Sequence, residues 1–252
     1  LKSYNIMLAA LALLWTFLFR KSMGACECGH PNQRIPMDGD FNSDSSPVLS
    51  NESIPWHVLI RHESTNAQCS GVIVSRRYVL TDSTCFSIDE TVQVYGDYTE
   101  IDFSASTKGK VTKNLEGVQI VQLEEELKFN QNLMSACLPE DPTNVYNEEL
   151  GIVTYLFNQE LLYKDFVPVL WHMFPNITFS HEDKYKRPGS PLVTFYNEVW
   201  TLIGIFMQHG FGKNIYRNIP TIADDLRHEL QIKGSCSKKK SKRRRSRITS
   251  RH

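Results

Sequence analysis

Residues 69–85 read Cys-Ser-Gly-Val-Ile-Val-Ser-Arg-Arg-Tyr-Val-Leu-Thr-Asp-Ser-Thr-Cys, with Cys69 and Cys85 sixteen positions apart. Between the cysteines lie a small-residue pair, an apolar strand and a Val79-Leu80-Thr81 turn. Short runs rich in Val, Ile, Tyr and Thr recur outside this stretch, at Trp56–Ile60, Gly71–Val74 and Val118–Leu123. Several alternate apolar with polar residues, the period of a half-buried strand. Helical spacing is found in Ile222–Leu230, IADDLRHEL, near the C-terminal end of the patterned region. There is no internal repeat. At 252 residues and 41% hydrophobic content, the chain is long enough for one large domain or two small lobes.

The 69–85 stretch resembles the CGGSLISxxWVLTAAHC segment of the trypsin-like serine proteases, keeping Cys69, Gly71, Val79, Leu80, Thr81 and Cys85. Two further segments extend the likeness. Gly117–Pro139, GVQIVQLEEELKFNQNLMSACLP, is similar to the family's DIALLKL…CLP. Lys186–Val193, KRPGSPLV, is similar to GDSGGPLV, and Trp200–Ile205 to the WxLxGI strand that follows it. The resemblance covers residues 28–231. It implies an all-β, two-barrel trypsin-like serine protease fold with a shortened second barrel and a C-terminal helix. Between Gly151 and Arg187 the chain is shorter than the family norm and carries no cysteine.

Registered in this way, the catalytic positions are degenerate. Thr84 stands where the family has its general-base histidine, Gly117 where it has the triad acid, and Pro188 where it has the nucleophilic serine. A threonine hydroxyl has no pKa near neutrality and cannot take the nucleophile's proton. Glycine cannot orient or charge-stabilise an imidazolium. Proline has neither a hydroxyl to attack with nor the backbone N–H that would donate to an oxyanion. Arg187 replaces the aspartate that pairs with a new N-terminal ammonium after activation cleavage, and it would repel that ammonium. The activation sequence is altered too, Arg34-Ile35 being followed by Pro36-Met37. The resemblance therefore implies a pseudoprotease.

Other residues are candidates for a relocated site. Ser190 lies two positions after Pro188, with His181 and His209 near in sequence or register, but a Ser–His pair needs a geometry that no spacing here demands. Glu116 adjoins Gly117, and strand alternation is expected to turn it away. His57, in Pro55-Trp56-His57, falls on the strand that reads PWQV in the family and is expected to be an ordinary strand residue. Met207-Gln208-His209 stands where the family presents Ser-Trp-Gly to a substrate backbone.

Ile6–Phe19 is a fourteen-residue apolar run preceded by Lys2 and followed by the small residues of Ser22-Met23-Gly24-Ala25. This pattern reads as a secretory signal peptide, too short for a span of about twenty residues; an uncleaved signal anchor is the alternative. Six cysteines suit an oxidising compartment. Cys69 and Cys85 are expected to pair, closing a loop worth about 3 kcal/mol in the chain-entropy model. Cys28-Gly29 resembles the leader that family members tether to the ACLP cysteine, which implies Cys28–Cys137. Cys26 and Cys236 remain, to pair with each other or with a partner chain. No cofactor or metal is expected, since the cysteine spacings match no zinc pattern. Asn51-Glu52-Ser53 and Asn176-Ile177-Thr178 are glycosylation sequons at Asn51 and Asn176.

Charge is divided sharply along the chain. Residues 26–237 hold 16 Lys and Arg against 28 Asp and Glu, a balance of −12, whereas residues 238–252 hold nine cations and no acid. Lys238, Lys239, Lys240, Lys242, Arg243, Arg244, Arg245 and Arg247 fall within ten residues. Such a run is ordinarily a solvated tail. Its functional readings are a polyanion-binding arm for a heparin-like polymer, or a proprotein-convertase site at Arg244-Arg245-Ser246-Arg247. Specific nucleic-acid binding is not expected without interleaved aromatics or folded support.

The expected organisation is a signal peptide (1–25), a leader with a degraded activation segment (26–54), an inactive trypsin-like domain (55–231) and a basic tail (232–252). The expected function is that of a secreted, catalytically inactive homologue acting on an unidentified protein partner, with membrane contact only if the signal is retained. The alternatives are a residual serine-type hydrolase with relocated residues and a polyanion-anchored cell-surface protein.

Overall fold

A computed structural model describes residues 28–30, 46–48, 52, 54–96, 106–140, 146, 150–157, 161–169, 171–173, 176–179, 187–210 and 213–232. A two-residue strand, β1 (Ser46–Pro47), precedes six strands that close on themselves: β2 (His57–His62), β3 (Gln68–Ile73), β4 (Tyr78–Asp82), β5 (Thr91–Tyr95), β6 (Ser106–Leu115) and β7 (Val118–Leu123). Around the barrel their order is β2-β3-β4-β7-β6-β5. The second half contains β8 (Leu150–Phe157), β9 (Leu161–Pro168), β10 (Trp171–Met173), β11 (Asn176–Phe179), β12 (Pro191–Tyr196), β13 (Val199–Gly210) and β14 (Lys213–Asn218). With β1 they form an eight-stranded sheet in the order β1-β9-β8-β12-β13-β14-β11-β10. A 3₁₀ turn, Pro220–Ile222, leads into a short helix, α1 (Ala223–Glu229). The expected all-β architecture with one C-terminal helix is what the chain adopts.

Side-chain alternation explains how the two halves join. From β2, Val58 and Ile60 enter a cluster made with Ile73, Val79, Val92, Val94, Val111, Val121 and Leu123, all from barrel strands. Leu59, with Trp56 just before the strand, enters a different cluster containing Val193, Trp200, Leu202, Ile205, Leu226 and Leu230 from the second half. The run Trp56–Ile60 is thus buried on both faces, so its residues do not alternate between core and solvent. Trp56 and Trp200 meet across this seam with ring centroids 5.7 Å apart.

Two hairpins owe their register to backbone chirality. Glu116 and Gly117 have φ of 45° and 92° between β6 and β7; Asn197 and Glu198 have φ of 50° and 70° between β12 and β13. Positive φ at both central residues is the type I′ signature, whose twist matches that of the flanking strands.

Residues 134–137 lie along the seam and bond to both halves. Met134 N donates to Pro55 O at 2.9 Å, Ala136 N to Ile73 O at 2.9 Å, and Cys137 N to Trp200 O at 3.0 Å. The Cys28–Cys137 disulfide is present, and Gly29 sits between Ser135 and Trp200, bonding to both backbones. Residues of the leader also enter the second sheet. Ser46 and Pro47 pair with Lys164 and Tyr163 of β9, and buried Glu52 forms an ion pair with buried Lys164.

The halves also approach closely at the turn 187–190. Ser70 N donates to Pro188 O at 2.9 Å, and Gly189 N donates to Phe206 O at 2.8 Å, so the turn is bonded to barrel and second sheet at once. A Cβ on Gly189, at φ +88°, would lie 1.9 Å from Ser70 O and 2.3 Å from Thr81 Oγ1. Backbone cannot yield there without separating the halves. Gly189→Ala is expected to destabilise the protein by about 3 kcal/mol or more, an overpacking cost added to a backbone penalty, as measured by urea unfolding.

Candidate functional site

Three turns converge around the Cys69–Cys85 disulfide, whose Cα atoms are 6.1 Å apart. The first, 82–85, carries Thr84 beside Cys85; the second, 116–117, carries Gly117; the third, 187–190, carries Pro188. Ser83 N donates to Gly117 O at 3.2 Å, joining the first turn to the second. The Ser70–Pro188 bond joins the third to the residue after Cys69. These bonds tie the turns carrying Thr84, Gly117 and Pro188, the residues that align with a catalytic triad, to the segments flanking the disulfide.

Thr84 is exposed, and its Oγ1 donates to Asp82 Oδ1, which also accepts the Thr84 backbone N–H at 2.9 Å. Asp82 is buried at the end of β4, and burial raises its carboxyl above the usual carboxylate range, opposed by hydrogen bonds from Thr84 and Ser83. Its Oδ2 has no hydrogen-bond partner. The hydroxyl is thus engaged by a carboxylate that caps the turn. Gln119 secures the same turn from β7, its amide donating to Phe86 O and, at 3.2 Å, to Ser83 O.

Gly117 accommodates the type I′ turn, and the space a side chain would take is faced by Arg217 of β14. A Cβ there would meet Arg217 Cδ at 3.7 Å and Nε at 4.0 Å. Arg217 Nη2 donates to Glu116 Oε2 at 2.6 Å. Glu116 is placed by turn geometry rather than strand alternation, and its carboxylate engages this guanidinium. The corner aligned with the triad acid thus presents a cation.

Around Pro188 the polar groups serve the seam. Arg187 Nη1 donates to Gln68 Oε1 at 2.7 Å, bonding the turn to β3. Ser190 is fully buried and its Oγ has no hydrogen-bond partner, so it is neither reachable nor activated by a base. His209 is exposed and its ring packs on Phe206 with centroids 5.0 Å apart. Met207 lies at the irregularity in the β13–β14 pairing, between Phe206 and Gln208.

His57 has a larger role than its strand position suggests. Its ring is 1% exposed and bridges the halves: Nδ1 lies 2.7 Å from Thr154 Oγ1 of β8, and Nε2 lies 3.2 Å from Ser70 Oγ of β3. Burial, with a smaller contribution from the Arg187 charge, lowers its pKa to about 3. This serine–histidine contact is sealed from solvent.

Both expected disulfides are formed. Asn176 begins β11, opposite Arg217 and Met173. Asn51, Arg34-Ile35, Cys26, Cys236, His181, the apolar run Ile6–Phe19 and the cations 238–247 lie outside the described residues. Among the described residues, no helix is long and apolar enough to cross a membrane. Sequence reading missed Asp82 and Arg217. Asp82 left one signal, an acid among the apolar and small residues of the VLT turn; Arg217 left none, because its neighbour lies a hundred residues away.

Comparison with known proteins agrees with this geometry over the first half. Residues 46–155 match the family model described as Trypsin, a span running from β1 through the barrel into β8. Over 109 residues the chain is 27% identical to "Serine protease filzig" of Drosophila melanogaster, covering 34% of this chain and 6% of that protein. The chain thus spans a small fraction of that relative's length. The 187–190 turn lies beyond the matched span.

The buried imidazole has a consequence for stability. A histidine whose folded pKa is depressed binds its proton more readily in the unfolded chain, near 6.5. Its stabilising contribution is complete above that pH and is lost as pH falls toward about 3. From pH 7 to pH 5 this loss is about 2 kcal/mol. Urea unfolding at both pH values should show the loss in the parent protein and its disappearance in His57→Gln.

Proposed function

We propose that this protein is a secreted, catalytically inactive serine protease homologue that works by binding a protein partner. The observation carrying this reading is the convergence of three turns that put Thr84, Gly117 and Pro188 around one disulfide. Each substitution removes a separate element of acyl-transfer chemistry: the base, the acid that orients it, and the nucleophile with its N–H. Loss of triad members alone leaves an active protease about 10³–10⁴-fold of catalysis over water, supplied by the oxyanion hole and binding. Pro188 removes a donor from that hole as well. The buried, unbonded Ser190 and the sealed His57–Ser70 contact count against a hydrolase with relocated residues. Disulfides fit an extracellular protein; the signal-like N-terminus and the sequons at Asn51 and Asn176 support a secretory route.

The basic tail supplies a second binding element. Its nine cations stand apart from a body carrying −12, a separation that suits attachment to a sulfated polymer while the body faces a protein. Retention of this tail in the mature protein would make it a surface-anchored binder; removal at Arg244–Arg247 would leave the acidic body alone.

Incubation of the purified protein with a fluorophosphonate probe is expected to label no serine. Specific labelling would overturn inactivity, and loss of any measured turnover in Ser190→Ala would establish the hydrolase instead. For the tail, an intact mass of the secreted product shows whether residues 238–252 remain. If they do, heparin affinity should fall steeply with salt and collapse when those residues are deleted, as expected where Lys and Arg displace counterions. Unchanged heparin affinity after the deletion would transfer that binding to the folded body.

A further inference from the structure

The corner at Gly117 combines an absence with an unmet donor. Among the described residues beyond its chain neighbours, a Cβ at Gly117 would meet only Arg217 within 4 Å, its Cδ at 3.7 Å and its Nε at 4.0 Å. Arg217 is 8% exposed, yet its buried Nε–H has no acceptor. One of its terminal nitrogens holds Glu116, whose own side chain is 56% exposed. A buried N–H without an acceptor is uncommon in a folded protein, and such a group marks a place where a ligand atom completes the structure. The guanidinium fork matches the two oxygens of a carboxylate, one on Nε and one on the neighbouring nitrogen. Gly117 supplies no such group from within, and the neighbouring Thr84 hydroxyl is already engaged by Asp82.

We infer that Arg217 and the gap over Gly117 form a carboxylate-binding site, through which the protein holds an acidic side chain or the C-terminal carboxylate of a protein partner. The partner's carboxylate takes the place of the Glu116 carboxylate on the fork, its second oxygen accepting the Nε–H of Arg217 that Glu116 leaves unmet. Glu116 is its internal competitor. Because it is anchored by one bond and half exposed, it can swing outward and leave the second position of the fork to the ligand. The inference deepens the binding reading given above and rests on it for the nature of the ligand, a partner rather than a substrate. It makes the former acid corner a receptor for acid.

The test uses the full ¹⁵N-labelled chain, following the Nε–Hε resonance of Arg217, assigned by its loss in Arg217→Gln. Sodium acetate is titrated against sodium chloride and sodium sulfate at matched ionic strength. A saturable shift with acetate alone is expected. Glu116→Gln, which removes the competitor, should tighten acetate binding about threefold, the range of a partly exposed ion pair. Gly117→Asn, a residue that tolerates positive φ, should fill the gap and abolish saturation. N-acetylglutamate methylamide and N-acetylglycine then distinguish a side-chain carboxylate from a C-terminal one. A shift shared with chloride would reveal an adventitious ion only and overturn the site. Preferential response to sulfate would overturn the carboxylate assignment. Unaltered affinity in Glu116→Gln would do the same even if the Gly117 variant failed to fold. Fluorophosphonate labelling reads inactivity separately, so either conclusion can fail without the other.

Discussion

The fold depends on the absence of one methyl group. At Gly189 the turn from the second sheet comes so close to the barrel that a Cβ would overlap the Ser70 carbonyl, which already accepts the Thr81 hydroxyl at 2.7 Å. The same approach lets Ser70 N bond Pro188 O and Phe206 N bond Ser190 O, closing the seam from both sides. Because backbone meets backbone there, the positions of Pro188, Thr84 and the Cys69–Cys85 disulfide follow from that contact. That contact sets the frame around the disulfide independently of which side chains the turns carry. That is what packing requires: the glycine, the disulfide and the hydroxyl at Thr81 support the seam whatever chemistry stands above it.

Around this contact the polar groups hold the structure together. His57 links hydroxyls from the two halves, Arg187 bonds across to Gln68, and Asp82 caps the turn that presents Thr84. Buried groups of this kind stay in place only where partners satisfy most of their hydrogen-bonding capacity. Where satisfaction is incomplete, as at Arg217 Nε, the unmet donor sits beside Gly117, which carries no side chain. Binding at that corner needs only an acceptor of the right charge.

Some of this was legible in the chain. The cysteines at 69 and 85, the apolar runs at Trp56–Ile60 and Val118–Leu123 and the helical pattern of Ile222–Leu230 all announced their elements, because each is a local property of spacing and polarity. The turns that meet near the disulfide could be located through their neighbours: Thr84 before Cys85, Pro188 before Gly189, Gly117 before the strand of alternating residues. The burial of Trp56–Ile60 on both faces was not, because alternation records one partner surface and this strand has two. Glu116 was misjudged as a strand residue, since two successive positive φ values turn the chain where the pattern suggests continuation.

Residue identity by itself determined that Thr84, Gly117 and Pro188 lack an imidazole, a carboxylate and a hydroxyl, and that a strongly basic tail follows an acidic body. Those are statements about functional groups, and no conformation alters them. Tertiary structure alone decided that His57 is sealed in the seam, that Ser190 is out of reach, and that Arg217 faces Gly117 from a strand a hundred residues away. Each of those depends on which surfaces meet, and desolvation and hydrogen-bond partners exist only after they do. A sequence lists the donors and acceptors; folding determines which remain unanswered.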